Sequence, residues 1–253
     1  MASFVITGLE RSGTTVVSEL FRQVPGLDAG FEVGVLLGAT PRAFPGIEPF
    51  AGNMLHDWGL SQAALEACCD TDDFALFYER LRTASTVMRP GTRTIFDKTP
   101  RYIATLDECM GKVAVPFFVT FKDPRATVLS DFKASGEADF DRWFETYARG
   151  KIGYMRLAYL QFERVRLGAD KRVCLVRLEE FCLQPRESCV RILAHVGIAF
   201  EYSYLVFRPG RYQLAPIASI SAGLPFAYIN ALGRARSERV GAMFAEFGEW
   251  FFG

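Results

Sequence analysis

The chain has 253 residues, with 29 basic and 29 acidic side chains and half of its positions apolar. That length and composition fit one compact α/β domain spanning 1–253 and exclude a low-complexity or disordered chain. The absence of net charge argues against bulk nucleic-acid binding, although a local basic pocket can hide in a neutral total.

Phe4-Val5-Ile6-Thr7 is a short apolar run that ends at a glycine, so it predicts a buried strand feeding a tight turn. Val16, Val17, Leu20 and Phe21 then recur at helical spacing, which places a helix start near Gly13, and Pro25-Gly26 stops it. From Thr40 to Leu60 the chain is rich in Pro, Gly and aromatics without a period, as expected of a functional loop such as a substrate lid. Ser61 to Met88 reads as helical, Thr92 to Asp97 as a second strand and Val113 to Phe121 as a third. Pro124 opens the next helix, and the aromatics from Phe140 to Phe162 mark one long helix or two. Arg172 to Leu178 is a fourth strand, and a last helix is expected near Ser237 to Phe247. Strands alternating with helices predict a single-domain α/β fold with a central parallel sheet flanked by helices.

No segment approaches the roughly 20 uninterrupted apolar residues of a membrane helix. The opening Met1-Ala2-Ser3 lacks the basic flank and apolar stretch of a secretory signal, so a cytoplasmic location is expected. Cys68, Cys69, Cys109, Cys174, Cys182 and Cys189 form no C-x-x-C pair and no zinc spacing, and they read as reduced, buried thiols with no metal.

The first strand-turn-helix contains the stretch Thr7-Gly-Leu-Glu-Arg-Ser-Gly-Thr-Thr15. Gly8 and Gly13 stand at the spacing of the phosphate loop G-x-x-x-x-G-K-[ST], but Thr14 holds the place of the lysine. In such a loop, backbone N–H groups and the helix N-terminus face an anion. Here the positive charge sits upstream at Arg11, whose planar fork of donors suits a tetrahedral oxyanion, and Thr14 and Thr15 add two hydroxyls. A degenerate phosphate loop of a kinase or nucleoside triphosphatase, with Asp123 as its magnesium ligand, is the alternative that these residues leave open.

With Arg11-Ser12-Gly13-Thr14-Thr15, the chain resembles the sulfotransferases that use 3′-phosphoadenosine 5′-phosphosulfate (PAPS), a phosphate-loop-type fold, nearest the protein-tyrosine, carbohydrate and bacterial branches. Three further stretches are similar in the family's order: Asp97-Lys-Thr-Pro100, Phe121-Lys-Asp-Pro-Arg-Ala-Thr-Val-Leu-Ser130, and Val176-Arg-Leu-Glu-Glu-Phe181 followed by Pro185. The resemblance implies transfer of the sulfuryl group of PAPS to an acceptor hydroxyl, with release of 3′,5′-bisphosphoadenosine (PAP) and no metal. A carbohydrate or small-metabolite hydroxyl is favoured over an amine, and a non-catalytic PAP-binding protein is a further alternative. The implied roles put Arg11 to Thr15 on the 5′-phosphosulfate, with Arg11 and Lys98 as the catalytic cations at the transferring sulfuryl group. Lys122 and Ser130 would hold the 3′-phosphate, with lysine where the family more usually has arginine. Arg208 and Arg211 loosely resemble the basic segment that closes over the nucleotide.

An acceptor hydroxyl needs a base. Glu32, in the apolar context Gly30-Phe-Glu-Val-Gly34, stands about where the tyrosine and carbohydrate branches carry a catalytic glutamate. His56 in the lid region is its rival, and Asp97 is a reserve. Arg125 competes with Lys122 for the 3′-phosphate, Arg177 and Glu179 are expected to pair or cap locally, and His195 is expected to be structural. Phe31, Phe44, Phe50, Trp58 and Trp143 could line an acceptor pocket, with the core as their default.

Overall fold

The computed structural model describes residues 2–168, 170–207, 220–221 and 223–247. Its central sheet is parallel, in the order β4-β1-β5-β6, from β1 (Val5–Gly8), β4 (Asp97–Lys98), β5 (Phe117–Phe121) and β6 (Val173–Arg177). β2 (Leu27–Asp28) and β3 (Thr94–Ile95) form a separate parallel pair. The helices follow in chain order: α1 (Thr14–Arg22), α2 (Phe50–Asp57), α3 (Gln62–Cys69), α4 (Phe74–Ala84), α5 (Leu106–Lys112), α6 (Pro124–Ser135), α7 (Phe140–Leu167), α8 (Leu178–Leu183), α9 (Pro185–Ala194), α10 (Gly223–Phe226) and α11 (Tyr228–Met243).

Alternation along the strands gives the sheet two faces, each with its own core. Val5, Phe117, Val119 and Phe121 pack with α2 to α5 and α7. Phe4, Ile6, Phe118, Cys174 and Val176 pack with α1, α8 and α9. Both faces being covered explains why β1 and β5 read as continuous apolar runs. All six cysteines are free and buried. Among the described residues no helix is long and apolar enough to cross a membrane.

Four sequence expectations change. The last helix runs over Tyr228–Met243 and is followed by a 3-10 turn at Ala245–Phe247, so it begins well before the expected Ser237. The stretch from 61 to 88 is two helices, because Asp73 caps a new start by accepting the Ala75 N–H at 2.8 Å. The 40–60 loop contains a 3-10 segment, Pro41–Gly46, and then α2. The strand expected over 92–97 is two short strands on different sheets: Thr94–Ile95 pairs with β2, and Asp97–Lys98 pairs with β1. Phe96 lies between them, fully buried and stacked on Phe4 at 5.0 Å, and anchors the crossing.

Candidate active site

β1 lies between β4 and β5, so the chain leaves its carboxyl end where neighbouring connections run in opposite directions, the usual ligand crevice of an open parallel sheet. Around that end collect the 9–13 loop, Lys98 at the end of β4, Lys122 just past β5 and Glu179 just past β6. The loop has no room for larger residues at its two glycines. A Cβ on Gly8 (φ 145°) would lie 2.3 Å from the Thr120 carbonyl oxygen, and one on Gly13 (φ 96°) 2.6 Å from Leu178 Cδ1. Arg11 is left-handed too (φ 66°), the one non-glycine residue so held among those described. Strain at a functional loop of this kind costs on the order of 1 kcal/mol.

The Ser12 side chain faces the sheet rather than the crevice. Its hydroxyl is 2.6 Å from Thr120 Oγ1 and 3.0 Å from the Thr120 carbonyl, and its N–H donates to the Leu9 carbonyl at 3.0 Å, so Ser12 shapes the loop with both of its donors. Helix α1 begins at Thr14 with Gly13 as its N-cap, no side-chain cap and no acidic residue in its first turn. Ser61, Asp73 and Asp123, by contrast, cap their own helices. The Val16 N–H turns back to the Gly13 carbonyl at 3.0 Å, which leaves the N–H groups of Thr14 and Thr15 for an external acceptor, with their own hydroxyls beside them.

Lys98 and Glu32, far apart in sequence, meet: Nζ is 3.1 Å from Glu32 Oε1. Lys98 is buried and its ammonium lies 4.1 Å from the centre of the Phe31 ring. Burial pushes the Lys98 pKa below the usual lysine value, with Glu32 the largest influence opposing the shift. Asp57 also feels the Lys98 charge, and burial raises its pKa. His56, the rival base, is exposed on α2. Asp97 is fully buried and closed in by three hydroxyls, out of reach of an acceptor.

Lys122 is buried, and its pKa is lowered to about 8, chiefly by burial, with Asp131 and Glu179 acting against the shift. Ser130 sits half-buried on α6 beside Asp131. Asp131 gathers neighbouring donors: Lys151 Nζ at 2.9 Å, the Tyr147 hydroxyl, and Arg11 Nε at 3.9 Å. Arg125 is not free to compete with Lys122, because it grips Asp123 at 2.5–3.1 Å and lies over the Tyr228 ring. Glu179 accepts the Asp123 N–H at 2.8 Å, so it braces the turn after β5 rather than a local neighbour. Arg208 and Arg211 lie outside the described residues.

Sequence reasoning did not find Asp57, Asp131 or Lys151, and it met Thr99 only as part of the Asp97–Pro100 stretch, with no role of its own. Lys151 and Tyr147 share one turn of α7, a signal for a common partner but not for which one. His195 is structural as expected: Nε2 is 3.0 Å from the Arg172 carbonyl and the ring packs edge-on against Phe118. Phe44, Phe50 and Trp58 are core, whereas Phe31 borders the site. Among the described residues no group of three His, Cys, Asp or Glu is placed to hold a metal ion.

A family model described as "Sulfotransferase family" matches residues 3–202. The structure is similar to the sulfotransferase domain of the Synechococcus PCC 7002 olefin synthase, with a TM-score of 0.65 at 18% identity over 96% of this chain and 94% of that one. It is also similar to a sulfotransferase from Alicyclobacillus acidocaldarius (TM-score 0.55, 14% identity, 99% and 96% covered). A third likeness is to mouse sulfotransferase SULT7A1 complexed with PAP (TM-score 0.53, 15% identity, 98% and 85% covered). No curated relative matches the chain.

Proposed function

This chain belongs to the sulfotransferase family, and from that premise we propose that it moves the sulfuryl group of PAPS to an acceptor hydroxyl and releases PAP. The observation that supports this most is the meeting of Lys98 with Glu32 at the carboxyl end of the strand beside the glycine loop. In the proposed arrangement the bare N-terminus of α1, Arg11 and the Thr14–Thr15 hydroxyls bind the 5′-phosphosulfate. Lys98 stabilises charge on the oxygen that leaves, and Glu32 takes the acceptor proton. Lys122 and Ser130 hold the 3′-phosphate, with Arg208 and Arg211 as further candidates. Sulfuryl transfer, like phosphoryl transfer, needs in-line positioning and charge stabilisation more than covalent chemistry from the protein. The acceptor is proposed to be a carbohydrate or small-metabolite hydroxyl, since a carboxylate base suits a neutral hydroxyl.

A magnesium-dependent kinase is disfavoured by a specific contact. Its ligand would be Asp123, but that carboxylate caps α6 and is held by Arg125 and the Tyr228 hydroxyl. Thermal denaturation separates the readings. PAP in EDTA at 100 times its Kd should stabilise the fold by about 2.7 kcal/mol, raising Tm by about 5 °C, and Mg·ATP at the same concentration should not. The reverse pattern would overturn the proposal. PAP binding without conversion of PAPS across a panel of hydroxyl acceptors would reduce it to a binding protein.

The Lys122 environment adds a pH signature. Its ammonium is charged below about 8 and neutral above, so a 3′-phosphate loses its cation as pH rises. PAP affinity by calorimetry should fall about tenfold between pH 7 and pH 9. Lys122→Arg, charged throughout that range, should flatten the profile. An unchanged slope in the variant would remove Lys122 from the phosphate site.

A further inference from the structure

Asp97 is next to Lys98 in β4, yet successive side chains of a strand face opposite ways, and Asp97 is fully buried on the far side. An ionised carboxylate in such a place is tolerated only with strong hydrogen-bond partners. It has three, all hydroxyls: Tyr78 at 2.6 Å and Tyr102 at 2.8 Å on Oδ2, and Thr99 at 2.8 Å on Oδ1. Among the described residues no ion pair joins them.

Each hydroxyl has a single proton to give. Having donated it to Asp97, Thr99 Oγ1 presents only lone pairs, and these accept the N–H groups of Val33 and Gly34, both at 3.0 Å. Tyr102 does the same for the Leu36 N–H at 3.2 Å. These three N–H groups belong to the backbone that follows Glu32. The same segment turns through a left-handed Gly34 (φ 76°), where a Cβ would lie 2.3 Å from the Phe50 ring, so it has little freedom to find another path.

We propose that Asp97 is a positioning residue of the transfer site: by orienting the protons of Thr99 and Tyr102 it fixes the 33–36 backbone and thereby holds Glu32 against Lys98. This rests on the roles given above to Lys98 and Glu32. Burial raises the Asp97 pKa to about 6, so it is ionised at neutral pH, as an acceptor of three protons must be. An amide at this position would turn one of its two acceptor atoms into a donor. One hydroxyl would then have to aim its own proton at the backbone N–H groups it now accepts.

The test uses Thr99→Val, a near-isosteric change that removes the relay and leaves the carboxylate, with Thr99→Ser as the restoring variant and Asp97→Asn as the amide. Three quantities are read: PAPS conversion with a hydroxyl acceptor or water, PAP affinity, and the Lys98 pKa from lysine Cε NMR, assigned by loss of its resonance in Lys98→Arg. Thr99→Val and Asp97→Asn should lower kcat about 10- to 100-fold, as displacement of a positioned group does, with PAP affinity unchanged. Because Glu32 raises the Lys98 pKa, Thr99→Val should also lower it towards its value in Glu32→Gln, and Thr99→Ser should restore both readings. Asp97→Asn is read by kcat and PAP affinity alone, since the Asp97 charge itself raises the Lys98 pKa. If Thr99→Val does not fold, Tyr102→Phe is read the same way. A folded Thr99→Val or Tyr102→Phe protein with an unmoved Lys98 pKa overturns the proposal. Failure of the unsubstituted protein to convert PAPS would instead sink the functional reading, since the Lys98 titration is independent of turnover.

Discussion

Lys98→Ala is expected to slow conversion of PAPS by about 10²–10³-fold, the loss typical of removing one donor from developing negative charge. The side chain is 5% exposed, and in so dry a place its charge acts through a low effective dielectric and is little screened by salt. Burial also lowers its pKa, so it can yield a proton to a leaving oxygen more readily than a surface lysine. The fold should survive the change, because Glu32 is 22% exposed and water can solvate it once its partner is gone. PAP affinity should change by no more than about twofold, since the proposed phosphate contacts lie at α1 and Lys122. Single-turnover rates and PAP calorimetry on the same variant check both statements. Full turnover would remove Lys98 from the chemistry, and a parallel loss of PAP affinity would make it a binding residue instead.

What the sequence disclosed about this site was the part encoded locally. Gly8 and Gly13 announce the loop because their positive φ values and their contacts with Thr120 and Leu178 exclude side chains. Lys98 and Lys122 are readable as residues at strand ends, where parallel sheets gather ligands. Pairings across the fold had no such signature. Asp131 meets Lys151 because α6 and α7 pack together, and Thr99 meets Val33 because β4 lies beside the segment after β2. The break after Ile95 was hidden for another reason: Thr94 to Lys98 has the composition of one strand, and nothing in that composition separates Thr94–Ile95, which pairs with β2, from Asp97–Lys98, which pairs with β1 across the buried Phe96. The new start at Asp73 was legible in principle, since an aspartate before an apolar run is a helix-cap signal.

Glu32→Gln should lower kcat by about 10²–10⁴-fold, the range for loss of a general base. The amide keeps the shape and can still accept from Lys98, so the loss isolates proton acceptance from packing. Two roles remain entangled in that number, because Glu32 is both the proposed base and the counter-charge that sustains the Lys98 ammonium. Acceptor acidity separates them. A phenol already ionised at assay pH needs no base, so Glu32→Gln should lose little rate with it while keeping its full defect with an alkyl alcohol. If the defect is equal for both acceptors, Glu32 acts by holding Lys98 and another group takes the proton. Asp57 is then the group to change next, since it is within reach of the Lys98 charge. His56, exposed on α2, should tolerate alanine in either case, and a matching loss in His56→Ala would transfer the base role to it.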